Sequence, residues 1–220
     1  MMEEIKRSTL DYLVYKRLRE LIATGVLKPG DQIIQEQIAK ELKVSRTPIR
    51  KAIAQLEKDY LVVVENGKAY VRELTKEELI TVFEIRSFLE GLVASFAAEN
   101  VDIEWLTNIE SRYKKAFEEH DYEEYKSVDI EFHRGLINLA KNPILSTISG
   151  NFWDLSVPLF RGILRDASET IHEHLAIIDA LKKRDGKLAR KLMSEHLMKT
   201  VRKLKKEIKK SKVGTNEKNT

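Results

Sequence analysis

Four residues in the second half of the chain are of types that hold divalent metals: Asp129, His133, His174 and His196. Asp129 and His133 stand four apart, so on a helix they project from one face. That face otherwise carries Tyr122, Tyr125, Phe132, Leu136 and Leu139. His174 follows Ile171 by three residues and precedes Ile178 by four, on an apolar stripe, whereas His172 falls on the opposite side. His196 comes four after Leu192 and eight after Leu188, again on the apolar side. One carboxylate and three imidazoles thus point from three helices into one interior. For any single histidine, a hydrogen-bonded core position is the simpler account. Four such groups together are costly to bury unless a divalent cation satisfies them all. Nitrogen and oxygen donors without sulfur suit Zn²⁺, Ni²⁺, Mn²⁺ or Fe²⁺, and a five- or six-coordinate ion keeps positions open for water or a carboxylate.

Arg86 adds a cation to the same interior, because its helical neighbours are Leu79, Val82, Phe83, Leu89 and Val93. It can pair internally with Glu90, one turn on, or clamp the carboxylate of a small ligand opposite the metal. Arg134, Asn138, Arg161 and Arg165 are further ligand-binding candidates, with an exposed surface role as the alternative. A metal with open positions can also activate water, so a hydrolase-like metalloenzyme is the second reading. Glu90 is then the sole inward candidate for a general base. In a third reading the metal is purely structural, or is itself the signal.

A different chemistry is written between Gln35 and Lys58. Two short amphipathic helices, with Ile38, Ala39 and Leu42 on one and Ile49, Ile53 and Leu56 on the other, are joined by a tight turn. Ser45 is an expected N-cap, Pro48 sits in the first turn, and Val44 and Ile49 hold hydrophobic-staple positions. Lys and Arg at 40, 43, 46, 50, 51 and 58 face only Glu41 and Glu57 between Lys40 and Lys58. Arg46 and Arg50 can reach guanine edges in a major groove, while Ser45, Thr47 and Lys51 suit phosphates. That is a helix-turn-helix.

The surrounding elements follow from pattern. A helix is expected from about Thr9 to Thr24, ended by Gly25, with a turn at Lys28-Pro29-Gly30-Asp31. Leu61–Val64 and Ala69–Val71 flank Glu65-Asn66-Gly67-Lys68, and Asn-Gly between β-rich runs specifies a type I′ hairpin. Its tip, with Gly67 and Lys68, is a wing beside DNA. Thr75-Lys76-Glu77-Glu78 reads as a capping box. Helices are then expected over 76–99, 103–119, 122–140, 143–166, 169–184 and 186–211, with Asp102, Asp121, Ser168 and Asp185 as N-terminal caps. The expected fold is mainly α: a winged helix-turn-helix of three helices plus a β-hairpin over residues 1–73, joined to an antiparallel all-α bundle of six or seven helices over 74–211, with a disordered tail over 212–220.

Composition agrees. The 220 residues are 42% hydrophobic and 34% charged with a net charge of +4, so basic character is local. There are no cysteines, which removes disulfides and thiolate chemistry. No signal peptide and no run of the ~18 apolar residues of a membrane span is present. The expectation is a cytoplasmic protein with no membrane partner.

Residues 10–72 resemble the DNA-binding domain of the GntR family of bacterial transcription regulators. The carrying residues are Gly25, Lys28-Pro29-Gly30, Glu36-x-x-Ala39 and Val44-Ser45-Arg46-Thr47-Pro48-Ile49-Arg50-x-Ala52. Where many members have an arginine before the turn, this chain has Gln37 as a DNA contact. Residues 76–210 resemble the FCD effector domain of the FadR subfamily, through Arg86-x-x-x-Glu90, Asp129-x-x-x-His133, Asn142-Pro143, Glu173-His174 and His196. The resemblance implies a homodimer on a palindromic double-stranded operator, a metal on this Asp and these three His, and a small organic acid as effector. The resulting expectation is a ligand-responsive transcriptional repressor, not an enzyme.

Overall fold

The computed structural model describes residues 10–156 and 165–216, and side chains over 10–153 and 165–210. The chain divides into two compact units, the first built on the residues up to Leu74 and the second on Thr75–Trp153 and the chain from residue 165 on. In the first, α1 (Leu10–Ala23) buries Val14, Leu18 and Ile22 at helical spacing. Gly25, at φ 73°, turns the chain out of α1 while Leu27 N donates to Leu21 O, a glycine stop that satisfies the last carbonyls. The turn at Lys28–Asp31 is closed from both sides, by Asp31 N to Lys28 O and by Lys28 N to the Asp31 carboxylate.

Helices α2 (Gln35–Leu42) and α3 (Arg46–Lys58) follow. Lys43, at φ 53°, makes the sharp turn between them. Ser45 holds the N-cap position with extended backbone, but its side chain makes no capping hydrogen bond, which corrects the expectation. Strands β2 (Val62–Glu65) and β3 (Lys68–Val71) form the hairpin, with Asn66 at φ 50° and Gly67 at φ 76° as a type I′ turn demands. A strand the sequence reading lacked, β1 (Gln32–Ile33), pairs antiparallel with β3 and gives the order β1-β3-β2. Leu18, Ile22, Ile33, Ile49, Leu56 and Leu61 are buried together in this core.

The second unit is helical: α4 (Lys76–Ala97), α5 (Ile103–Glu118), α6 (Tyr122–Leu139), α7 (Pro143–Ser156), α8 (Ala167–Lys182) and α9 (Gly186–Asn216). Thr75 and Glu78 form the reciprocal capping box at the start of α4. Asp102, Asp121, Asn142 and Asp185 cap the next starts through their side chains. At α8 the cap is Asp166, which accepts from both the backbone and the hydroxyl of Ser168. Ser168 was the expected cap, but the carboxylate two residues earlier is the better acceptor. The helix expected over 143–166 ends earlier, since Arg165 and Asp166 are not helical, and α9 runs past the expected end at 211 to Asn216.

Helices α4 and α9 pack along each other. A Cβ on Gly91 would collide with Ser194 Oγ and stand 3.2 Å from Arg190 O, so glycine sets this close approach. Gly135 of α6 similarly accommodates the Trp105 ring of α5.

Candidate metal centre and nucleic-acid interface

Between these helices the four predicted ligands meet. Asp129 and His133 come from α6, His174 from α8 and His196 from α9. The three imidazoles are buried, and one nitrogen from each lies within 4.8 Å of the others. Asp129 Oδ1 is 3.1 Å from His174 Nε2 and 3.8 Å from His133 Nε2. Two neighbours assigned to the inner faces are not there. Tyr122 is exposed and Leu188 is 39% exposed. The buried stripe of α9 is set instead by Ala189, Met193, Leu197 and Val201.

Each ring is held from behind through Nδ1. His133 Nδ1 donates to Glu90 Oε2 at 2.5 Å, and His196 Nδ1 donates to Glu173 Oε2 at 2.8 Å. A carboxylate can only accept, so both rings carry the proton on Nδ1 and keep the Nε2 lone pair. His174 Nδ1 meets the Tyr125 hydroxyl at 3.2 Å, and that hydroxyl meets Thr170 Oγ1 at 2.8 Å. Tyr113 OH donates to Asp129 Oδ1 at 3.3 Å, and its ring stacks on His174 at 4.7 Å.

The carboxylates behind the rings are themselves neutralised. Arg86 Nε donates to Glu90 Oε1 at 2.5 Å, and its guanidinium lies 4.3 Å from the Trp153 ring centre. Arg165 grips Glu173 with two nitrogens at 2.7 and 2.6 Å and also donates to His196 O at 3.2 Å. Lys199 Nζ adds a third cationic bond to Glu173 at 2.7 Å.

Electrostatics follow from this shell. Burial alone would raise the Glu90 carboxyl, but Arg86 and His133 outweigh it and hold the group down at about 2. Asp129 and Glu173 are likewise held well below the ordinary range, against burial, by the histidines in one case and by Arg165, His196 and Lys199 in the other. Burial pushes His196 down to about 3 and also lowers His174. These two rings are therefore neutral at pH 7, as metal ligands must be.

The donor set fits a divalent cation. His174 Nε2 is buried and has no hydrogen-bond partner. Its near polar neighbour is Asp129 Oδ1 at 3.1 Å, a contact that lowers the Asp129 carboxyl but is poorly aligned as a hydrogen bond. An orphaned buried nitrogen carries a real penalty. Three imidazoles and one carboxylate could relieve it by holding a metal ion together.

The wider ligand set is divided. Arg86 and Glu90 are buried and bound to each other, so the internal pair is the one the structure forms. Glu90, the candidate general base, is occupied on both oxygens. Arg165 is buried in its tie to Glu173. Arg134 and Asn138 are exposed on α6, and Arg161 lies outside the described residues. Glu173, Tyr125 and Tyr113 are contributors that residue spacing did not single out. Position eight after Arg165 is the one available clue to Glu173.

In the first unit, Gln37 is exposed on α2, and Ser45, Arg46, Thr47, Arg50 and Lys51 are exposed at the leading end of α3. Lys51 is 3.8 Å from Asp11, a loose pair that leaves it 65% exposed. Gly67 and Lys68 are exposed at the hairpin tip. Pro48, Ile49, Ala52, Ile53 and Leu56 anchor the opposite face of α3, so the basic end is presented on a rigid helix.

Comparison with known proteins closes the assignment. The description "Bacterial regulatory proteins, gntR family" matches residues 12–71, and the FCD domain matches residues 81–199, more than half of the chain. The HTH-type transcriptional regulator McbR of Escherichia coli is 28% identical over 90% of this chain and 94% of its own length. The regulator YdhC of Bacillus subtilis is 28% identical over 83% and 85%. The gluconate operon transcriptional repressor of B. subtilis is 25% identical over 83% and 79%. The solved structure of E. coli McbR/YncC has the same fold, with a TM-score of 0.69 at 24% identity over 92% of this chain and 100% of that one. These relatives are DNA-binding regulators rather than enzymes, and no described helix is long and apolar enough to cross a membrane. With the gntR-family DNA-binding domain and the FCD domain both present, the chain belongs to the GntR family of bacterial transcription regulators.

Proposed function

We propose that this regulator is a ligand-responsive repressor whose helical domain binds one divalent metal ion and, beside it, a small organic acid. Residues 1–73 form the DNA-binding output and 74–211 the sensor, and the protein acts as a homodimer on a palindromic operator. Asp129, His133, His174 and His196 hold the metal, which supplies a Lewis-acid centre for an anionic ligand. The observation carrying this reading is the convergence of three buried imidazoles beside Asp129, on rings whose Nδ1 atoms are already engaged. The repressor assignment is supported by the relatives named as repressors of the gluconate operon.

Arg86 keeps Glu90 charged and Glu90 orients His133. In this reading the guanidinium nitrogens other than Nε meet the effector carboxylate. Effector binding changes operator affinity only through a difference in affinity for the two arrangements of the dimer. Because Arg86 is already partnered internally, a structural metal is the second reading. Anisotropy titration on the chain's own upstream DNA, with and without metal and with a panel of sugar acids and short carboxylates, tests the proposal. Operator affinity indifferent to every metal and acid combination rejects sensing, whereas loss of folding without metal favours the structural role.

A further inference from the structure

Charge is distributed unevenly along this chain. Residues 199–220 hold nine Lys and Arg against two Glu, a balance of +7, although the whole chain is only +4. Residues 10–74 hold twelve against nine, or +3, and residues 75–198 hold sixteen against 22, or −6. The acidic bundle thus ends in a segment more basic than the entire helix-turn-helix unit.

The cations of this segment share a face. At 100° per residue, positions 199, 202, 203, 205, 206, 209 and 210 of α9 fall within about 160° of the helix circumference. Leu197, Thr200, Val201 and Leu204 are buried on the other side. Three of the cations are spent on neighbouring acids: Lys199 on Glu173 at 2.7 Å, Lys203 on Glu169 at 2.9 Å and Lys205 on Glu84 at 2.7 Å. Arg202, Lys206, Lys209 and Lys210 are exposed and have no ion pair among the described residues, although the bundle they grow from has acids in excess. Eight residues of helix rise about 12 Å, so these four charges recur about every 4 Å, close to the ~3.4 Å per phosphate along one DNA strand.

We propose that this face of α9, made by Arg202, Lys206, Lys209 and Lys210, binds the phosphate backbone of duplex DNA. It is a sequence-independent contact separate from the reading end of α3. The proposal rests on the protein's binding DNA and supplies affinity and salt dependence rather than operator choice.

The test compares the full-length protein with R202Q/K206Q/K209Q/K210Q, with R46A/R50A and with the six-fold combination. Binding to a fluorescent duplex of random sequence is followed by anisotropy between 50 and 200 mM KCl. Removing one phosphate interaction lowers the slope of log K against log salt by ~0.9, so the α9 variant is expected to show a slope shallower by up to ~3.6. R46A/R50A keeps a residual salt-dependent affinity, and the combined variant loses it. The charge-preserving R202K/K206R/K209R/K210R retains the wild-type slope, and matching far-UV circular dichroism shows that all variants are folded. An α9 variant whose slope stays within 0.5 of wild type overturns the proposal while leaving DNA binding by α3 intact. Binding to phosphatidylglycerol vesicles that depends on these four residues, with an unchanged DNA slope, overturns it in favour of a lipid surface. A wild-type protein that binds no duplex at 50 mM salt overturns both.

Discussion

Replacing Glu173 with Gln probes the architecture behind the metal site. The carboxylate is 14% exposed and ties α8 to Arg165 just before it and to His196 and Lys199 of α9. Glutamine keeps the shape but removes the charge, leaving the Arg165 guanidinium, 7% exposed, with the more exposed Glu169 as its remaining carboxylate partner. Breaking a buried pair costs ~3–5 kcal/mol. Glu169 and solvent near Lys199 offset part of this, so about 2–3 kcal/mol is expected. At ~2–4 °C per kcal/mol for a unit of this size, the melting temperature should fall by roughly 5–10 °C. The effect on metal is separate. Without a charged acceptor at Nδ1, His196 is a weaker and less fixed donor, and loss of such a partner typically costs ~10–100-fold in metal affinity. Thermal melts followed by circular dichroism, and calorimetric titration with Zn²⁺ and Ni²⁺, read the two effects independently. A variant that melts within 1 °C of wild type and binds metal within two-fold would refute the reasoning.

Acid should destabilise the helical domain in two stages. His174 and His196 have folded values below their unfolded ~6.5, so the unfolded chain takes protons first and stability falls as the pH drops below about 6.5. Glu90, Asp129 and Glu173 are also depressed, and their contribution is lost as the pH falls through and below about 4.5; urea midpoints equal at pH 7 and pH 5 would contradict this. Arg46→Ala and Arg50→Ala should each cost about 1–3 kcal/mol of operator affinity without moving the melting temperature, checked by anisotropy and circular dichroism. Gly91→Ala should destabilise by about 1–3 kcal/mol because its methyl meets Ser194 and the Arg190 carbonyl; a wild-type melting curve would show that α4 and α9 can part freely.

What the sequence made legible was mostly local chemistry. The Asn66-Gly67 turn, the Gly25 stop and the Thr75–Glu78 box are encoded within a few residues, and each formed as read. Strand β1 was hidden because two residues carry no periodicity and their partners Tyr70 and Ala69 lie far along the chain. The inward turn of His133, His174 and His196 was readable from apolar spacing, because a helix stripe fixes direction. Their carboxylate and hydroxyl partners were not, since Glu173 meets His196 only through the relative rotation of α8 and α9. Tyr122, the first residue of α6, is exposed, and Arg165 is an internal tie to Glu173 and the His196 carbonyl rather than a surface cation. Spacing left Arg86 with two possible partners, and the pair with Glu90 formed.

The most direct test of the central claim is metal stoichiometry, by elemental analysis of the purified full chain after dialysis and calorimetric titration of the chelator-treated protein. The account predicts one divalent ion per chain, bound tightly at pH 7, and absent, together with the metal-dependent rise in melting temperature, from His174→Ala and Asp129→Ala. A wild-type protein that takes up no divalent ion at pH 7 and melts at the same temperature with and without chelator would contradict it.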